Sequence, residues 1–427
     1  MAHEQTIPTR LSQRAQWAGG QPISELMAQA LAHPELISLA AGFVDQATLP
    51  VEPTQQALAA IFSDARRARA ALQYGTTPGY PPLREAILAR MVEADHALRS
   101  EAGLSTDQVV ITAGSNQLLH LVGETLLDPG DIVLCAAPSY FVFLGMLANQ
   151  GARSVGVAAD EQGLIPEALE ETLQRLDKAD ELSRVKAIYC TSYFDNPCSV
   201  SLAAERRPQI VEIAQRWSTE HRIYVIEDAA YRELRYSGDD LPSLRAYDGD
   251  GETVIVAGTF SKSYSPGIRV GWGVLPKALV GPVCEQKGNI DFGSPNFAQH
   301  LMHQVLDAGL FDKHVAQLRV SYRTKLEAML AAADQYLAPL AGVDWIRPEG
   351  GLYVWLTLPE EIDAGPDGVL FRRAMEAGVL YVPGEYCFPV EGERKKNTIR
   401  LSFGVQPVEN IERGMRALAE AIGSLTS

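Results

Sequence analysis

The chain has 427 residues, of which 46% are hydrophobic and 21% charged, so a disordered or fibrous protein is excluded and a large domain with a smaller companion is expected. Acidic residues number 53 against 37 basic ones, for a formal net charge of −16, which argues against a nucleic-acid or anionic-membrane partner. No uninterrupted apolar run is long enough to suggest a transmembrane helix.

The start of the chain lacks a basic stretch followed by an apolar one, so no signal peptide is expected. Cys135, Cys190, Cys198, Cys284 and Cys387 are scattered and form no C-x-x-C pair. They read as free thiols of a reducing cytoplasm rather than a disulfide framework or zinc site. His300 and His303 lie one helical turn apart without a third ligand nearby, and no metal is expected.

Residues 1–53 read as a helix over Gln21–Leu31 followed by a strand over Leu36–Phe43 that breaks at Gly42. From 54 to 310, short apolar runs alternate with helical patterns. The runs are Val109–Thr112, Asp131–Cys135, Val185–Tyr189, Arg222–Ile226 and Glu252–Val256. Helical patterns cover Asn116–Leu127, Phe141–Gln150 and Leu202–Glu220, with Ala65–Ala71 also helical. This predicts an α/β fold with a mostly parallel sheet covered by helices on both faces. Residues 311–427 change character. A helix over Asp312–Ala332 precedes strands at Tyr353–Leu356 and Ile399–Phe403 and helices at Val369–Ala377 and Val408–Ile422, which predicts a smaller α+β domain joined by residues 1–53.

The strands of the large domain all run into polar or aromatic residues. The first leads into Gly114-Ser115-Asn116 at a helix start, the second into Tyr140, the third into Asn196-Pro197. The fourth ends in Glu227-Asp228, with Tyr231 beyond it. The fifth runs into Thr259-Phe260-Ser261-Lys262, and Arg269 follows seven residues after Lys262. In an open parallel sheet such ends converge on one crevice.

This ordered set, completed by Arg400 in an otherwise apolar run, resembles the fold type I pyridoxal-phosphate aminotransferases, most of all the kynurenine and 2-aminoadipate branch. The likeness spans Leu36 to Ala421 and implies a seven-stranded-type sheet, the cofactor pyridoxal 5'-phosphate, and transfer of an amino group from an L-amino acid to a 2-oxo acid by a ping-pong mechanism. It implies that Lys262 forms the Schiff base and then moves the proton. Asp228 matches the partner of the pyridine nitrogen; Glu227 beside it must face the other way, because strand side chains alternate. Asn196 and Tyr231 match the groups around the ring oxygen, and Tyr140 the aromatic against the ring. Gly114, Ser115, Asn116, Thr259, Ser261 and Arg269 match the phosphate cup. Tyr74 matches a tyrosine reaching the neighbouring subunit's phosphate, which implies a homodimer with composite sites. Arg400, Gly42 and Asn196 match the substrate-carboxylate site.

Two features depart from the family pattern. Asn196-Pro197 is followed by Cys198-Ser199, where the family reads Thr or Ser and then Gly. Ser24 stands where relatives that bind acidic side chains often carry an arginine, with Arg10 or Arg14 as possible substitutes, so a neutral or aromatic amino acid is the expected substrate. The same residues also suit a β-lyase, a decarboxylase or an oxygen-dependent amino acid oxidase. A regulator with an aminotransferase-like sensing domain is disfavoured, because the likeness begins by about Ile23 with no helix-turn-helix domain in front.

Overall fold

The computed structural model describes residues 9–19, 26, 28, 32, 33, 35–95 and 104–426; most of the expected Gln21–Leu31 helix, Ser24 included, lies outside them. The strands in chain order begin with β1 (Ile37–Ser38), β2 (Val109–Thr112), β3 (Ile132–Ala137), β4 (Arg153–Asp160) and β5 (Gly163–Leu164). They continue with β6 (Val185–Thr191), β7 (Tyr224–Asp228), β8 (Val254–Thr259) and β9 (Gly271–Val274), and then β10 (Asp344–Trp345), β11 (Tyr353–Thr357), β12 (Val379–Leu380), β13 (Val382–Pro383) and β14 (Thr398–Ser402).

The main sheet has eight strands in the order β2-β9-β8-β7-β6-β3-β4-β5. β9 is antiparallel to both its neighbours and the two-residue β5 is an antiparallel edge; the remaining strands run the same way. Alternation along these strands feeds two cores. Leu134, Ile188, Val225 and Val254 pack on one face. Val133, Tyr189, Ile226 and Ile255 pack on the other. Each fully buried aliphatic side chain contributes about 1.5–3 kcal/mol, which explains why these runs are apolar throughout. The helix Ser115–Leu126 follows β2, and Phe141–Asn149 follows β3.

β3, β6, β7 and β8 extend further than their apolar runs. β7 ends on Asp228 and β8 on Thr259, because polar residues at the carboxyl edge still pair: Thr191 with Asp228 and Thr259 with Gly271. β4 and β9 were not expected; both are rich in glycine, alanine or serine rather than β-branched residues. The expected strand over Leu36–Phe43 is reduced to β1.

A second, antiparallel sheet has the order β10-β11-β14-β13, and β1 pairs in parallel with β12, bringing residues 37–38 to the C-terminal part of the chain. The helix Leu310–Tyr336 links the two bodies. Phe311 and Val315 belong to a core of the main sheet, whereas Leu318 to Ala333 pack with the second sheet and the helix Val408–Thr426. Among the described residues, no helix is long and apolar enough to cross a membrane, and no cluster of three metal-ligating side chains occurs. His300 stacks on Tyr80 with ring centroids 3.8 Å apart.

Candidate active site

β2, β3, β6, β7 and β8 all deliver their carboxyl ends to one edge. A cavity of about 250 Å³ lies there, closed on its far side by β11 and β14. β3 and β6 are neighbours from which successive connections run in opposite directions, the usual position for a ligand in such sheets.

At one end, β9 aligns Gly271 between Thr112 of β2 and Thr259 of β8. A Cβ on Gly271 would stand 2.4 Å from the carbonyl carbon of Gly114 and 2.5 Å from the Ser115 nitrogen, so only glycine lets the turn come this close. Gly114 itself has φ +87 and would carry a Cβ 2.3 Å from Nη2 of Arg269. The result is a cradle. Arg269 donates through Nη2 to the Ala113 carbonyl at 2.9 Å and through Nη1 to Ser261 Oγ at 3.4 Å. Thr259 Oγ1 donates to Ser261 Oγ at 2.9 Å. Hydroxyls, a guanidinium and the start of the Ser115–Leu126 helix therefore face one small volume, a donor set suited to a phosphate dianion.

In the middle of the cavity, Asp228 is 5% exposed. Its Oδ2 accepts from Tyr189 Oη at 3.0 Å and its Oδ1 from the Ala230 amide at 3.1 Å. Burial nevertheless pushes its pKa up to about 6. Glu227 points to the opposite face, where Ser192 Oγ donates at 2.6 Å and the Leu244 amide at 3.0 Å. Tyr140 caps the helix Phe141–Asn149 and lines the cavity. Lys262 sits in the turn after β8 and donates to the Gly42 carbonyl at 2.7 Å. Burial lowers its pKa, and the nearby Arg400 and Arg269 charges lower it further against the effect of Tyr353.

At the other end, Arg400 is 1% exposed. Its Nη1 donates to Asn196 Oδ1 and its Nη2 to the Ala40 carbonyl, both at 2.8 Å, while its buried Nε has no partner. The guanidinium lies 4.3 Å from the Tyr353 ring centroid. Tyr353 Oη is 3.1 Å from Tyr231 Oη, and a Cβ on Gly42 would stand 2.6 Å from it.

Of the residues singled out in the sequence, Gly42, Ser115, Asn116, Tyr140, Asn196, Asp228, Tyr231, Thr259, Ser261, Lys262, Arg269 and Arg400 line this cavity, and Gly114 abuts it through Arg269. Tyr74 does not line it; this side chain is 83% exposed and packs edge-on against Phe292. Cys198 is buried in a separate cavity and burial raises its thiol pKa, in keeping with an inert thiol. Arg10 and Arg14 are both exposed, and Arg14 pairs with Glu124 at 2.9 Å. Sequence reasoning missed Tyr353, Tyr189, Phe43 and Phe141. Tyr189 and Tyr353 lie inside apolar strands, where nothing separates a site tyrosine from a core one.

The whole matches known proteins. The family model for aminotransferase class I and II matches residues 34–418. The aromatic-amino-acid aminotransferase 1 of Thermococcus litoralis is 36% identical over 91% of this chain and 88% of its own length. The 2-aminoadipate transaminase of Thermus thermophilus is 35% identical over 92% of this chain and 91% of its own. The crystal structure of Pyrococcus horikoshii kynurenine aminotransferase superposes with a TM-score of 0.88 at 33% identity, covering 98% of both chains. The chain belongs to the class I and II aminotransferases. It is a pyridoxal-phosphate-dependent enzyme that transfers an amino group between an amino acid and a 2-oxo acid.

Proposed function

We propose that the cavity residues divide this reaction as follows. Lys262 holds the cofactor's aldehyde carbon and carries the proton, Asp228 pairs with the pyridine nitrogen, and Arg400 takes the substrate α-carboxylate. The observation that carries this reading is a lysine amine, a buried carboxylate and a buried arginine with one unpartnered nitrogen on a single small cavity. The bound cofactor supplies an electron-withdrawing ring that stabilises negative charge at the substrate's α-carbon.

The protein's own residues do the rest. Burial and two neighbouring guanidinium groups favour the neutral amine of Lys262, the form able to take a proton from the substrate's α-carbon. Tyr189 and the Ala230 amide fix Asp228, whose carboxylate would meet the ring nitrogen's proton. Tyr140 would pack against the ring face, and Asn196 and Tyr231 would hold the ring oxygen. The Gly114 turn, Ser115, Asn116, Thr259, Ser261 and Arg269 would take the phosphate. Asn196 and Ala40 already orient Arg400, so a carboxylate meets a preset guanidinium. Gly42 brings its backbone beside both Lys262 and Tyr353 without a side chain in the way.

The same site then serves two half-reactions in turn, a ping-pong order. Phe43, Phe141, Val142 and Tyr353 line the wall, and among the described lining residues the only cations are Lys262, Arg269 and Arg400. That favours a neutral or aromatic side chain over one ending in a carboxylate. The test mixes cofactor-loaded enzyme with one amino acid and no 2-oxo acid. One equivalent of 2-oxo acid per site should appear and the reaction then stop, with phenylalanine or leucine ahead of 2-aminoadipate; Lys262→Ala should release none. Continuous turnover with ammonia release would sink the reading, and 2-aminoadipate ahead of both would sink the specificity.

A homodimer with composite sites is part of the same proposal. Tyr74, Phe292, Ile290, Phe62, Leu72 and Phe43 are all exposed, and Tyr74 with Phe292 and Phe62 with Phe297 form ring pairs at 5.7 and 6.1 Å. Large apolar side chains left exposed in this way suit a second copy. The division into a large domain at 54–310 and a small one at 311–427 joined by residues 1–53 is supported by the β1–β12 pairing. Five free cysteines suit a cytoplasmic enzyme.

A further inference from the structure

One buried charge outside the cavity lining has no part in the chemistry above. Lys287, in the helix Lys277–Asp291, has a fully buried side chain, and its ammonium donates to the two oxygens of Asp291 at 2.7 and 2.9 Å. An ammonium taken out of water is costly to keep, and a single carboxylate offsets that only in part, so stability alone is a weak reason for the pair. Its other contact is more informative. Asp291 Oδ2 accepts from Gln117 Nε2 at 2.7 Å, and Gln117 Oε1 accepts from the Ala113 amide at 2.7 Å. The Ala113 carbonyl accepts from Arg269 Nη2 at 2.9 Å.

A continuous chain of bonds thus runs from Lys287 to Arg269, and it has a direction. The Ala113 amide can only donate, so Gln117 turns its amide oxygen toward it and its amide nitrogen toward Asp291. Ala113 is then gripped on both sides, through its N–H by Gln117 and through its carbonyl by Arg269. It stands immediately before Gly114 and the turn that opens the Ser115–Leu126 helix.

We propose that Gln117, held in its orientation by Asp291 and Lys287, is a positioning residue for the phosphate end of the cofactor site. It fixes the Ala113 peptide and, through it, Arg269 and the Gly114–Asn116 turn. The inference rests on the reading of Arg269 and that turn as the phosphate site.

The experiment compares how the cofactor-free enzyme binds pyridoxal phosphate and pyridoxal, which lacks the phosphate, by fluorescence titration. Two variants are used: Gln117→Leu, and the double change Lys287→Met with Asp291→Leu, which removes the charges together. In both, the Kd for pyridoxal phosphate should rise on the order of tenfold and that for pyridoxal by less than about twofold. Unchanged affinity for both ligands, or equal loss for both, would overturn the proposal, since general damage does not distinguish them. If Gln117→Leu fails to fold, the double variant decides alone. Arg269→Met separates the two levels. If it leaves pyridoxal phosphate binding intact, the phosphate-site reading fails; if it weakens binding while the other variants do not, only the role of Gln117 fails.

Discussion

Ser199 occupies the position where the family pattern calls for glycine, and the structure shows what it does there. Its φ is +55, in the left-handed region, and its Oγ accepts from the Tyr353 amide at 3.1 Å. The backbone strain costs on the order of 1 kcal/mol, and the hydrogen bond returns a similar amount. Ser199→Ala keeps the strain and loses the bond, so it should destabilise by about 1 kcal/mol, whereas Ser199→Gly should be close to neutral. Chemical denaturation of both variants checks this; an alanine variant more stable than the glycine one contradicts it. Asp228 gives a pH-dependent expectation. Its pKa is raised from 3.8 to about 6, so as pH rises between these values the unfolded chain releases its proton while the folded one keeps it. Stability of the cofactor-free enzyme therefore falls over that window, by up to about 3 kcal/mol. Asp228→Asn should remove this loss, making the cofactor-free variant relatively more stable at pH 7 than at pH 4 in thermal melts. The place of Lys262, Asp228 and Arg400 on one cavity was legible in the sequence because a charged residue beside an apolar strand needs a reason. Tyr189 was not, since its hydroxyl partner lies on another strand, and only the register of β6 against β7 brings them together.

β9 shows why some elements escaped sequence reading. Gly271-Trp272-Gly273-Val274 has a single β-branched residue and two glycines, yet it sits between β2 and β8, and the glycines leave room on one face for the Gly114 turn and Leu118. The apolar runs of the other central strands were legible; their last pairs were not, because Thr191, Asp228 and Thr259 look like loop residues until their partners are seen. Gly271→Ala should push its methyl into the Gly114 turn. The expected result is a loss of about 1–3 kcal/mol in stability and weaker retention of cofactor on dialysis. A variant that keeps both unchanged would mean the turn is free to move away.

At the scale of the whole molecule, one exposed apolar face bears on assembly. Tyr74 and Phe292 are 83% and 59% exposed, and the Thr77 hydroxyl donates to the Phe292 carbonyl at 2.8 Å, so the two segments form one surface. Sedimentation velocity should give a dimer, and Phe292→Glu should shift it toward monomer by placing charge in the apolar patch. A monomeric native enzyme at micromolar concentration would contradict the proposed reach of Tyr74 into a second subunit. That the chain beyond residue 311 forms a sheet of its own was legible from the change in pattern there. The N-terminal attachment was less so: β1 is only two residues long and depends on a partner more than 300 residues away.

The unpartnered Nε of Arg400 has a consequence at the bench. If Arg400 takes the substrate carboxylate as proposed, a small carboxylate without an amine should be able to take the same place. Acetate or citrate in an assay buffer competes for it, so the apparent KM for the amino acid should be higher there than in phosphate-free, carboxylate-free buffer, while kcat stays the same. The choice of buffer is therefore itself a probe of which arginine the substrate meets.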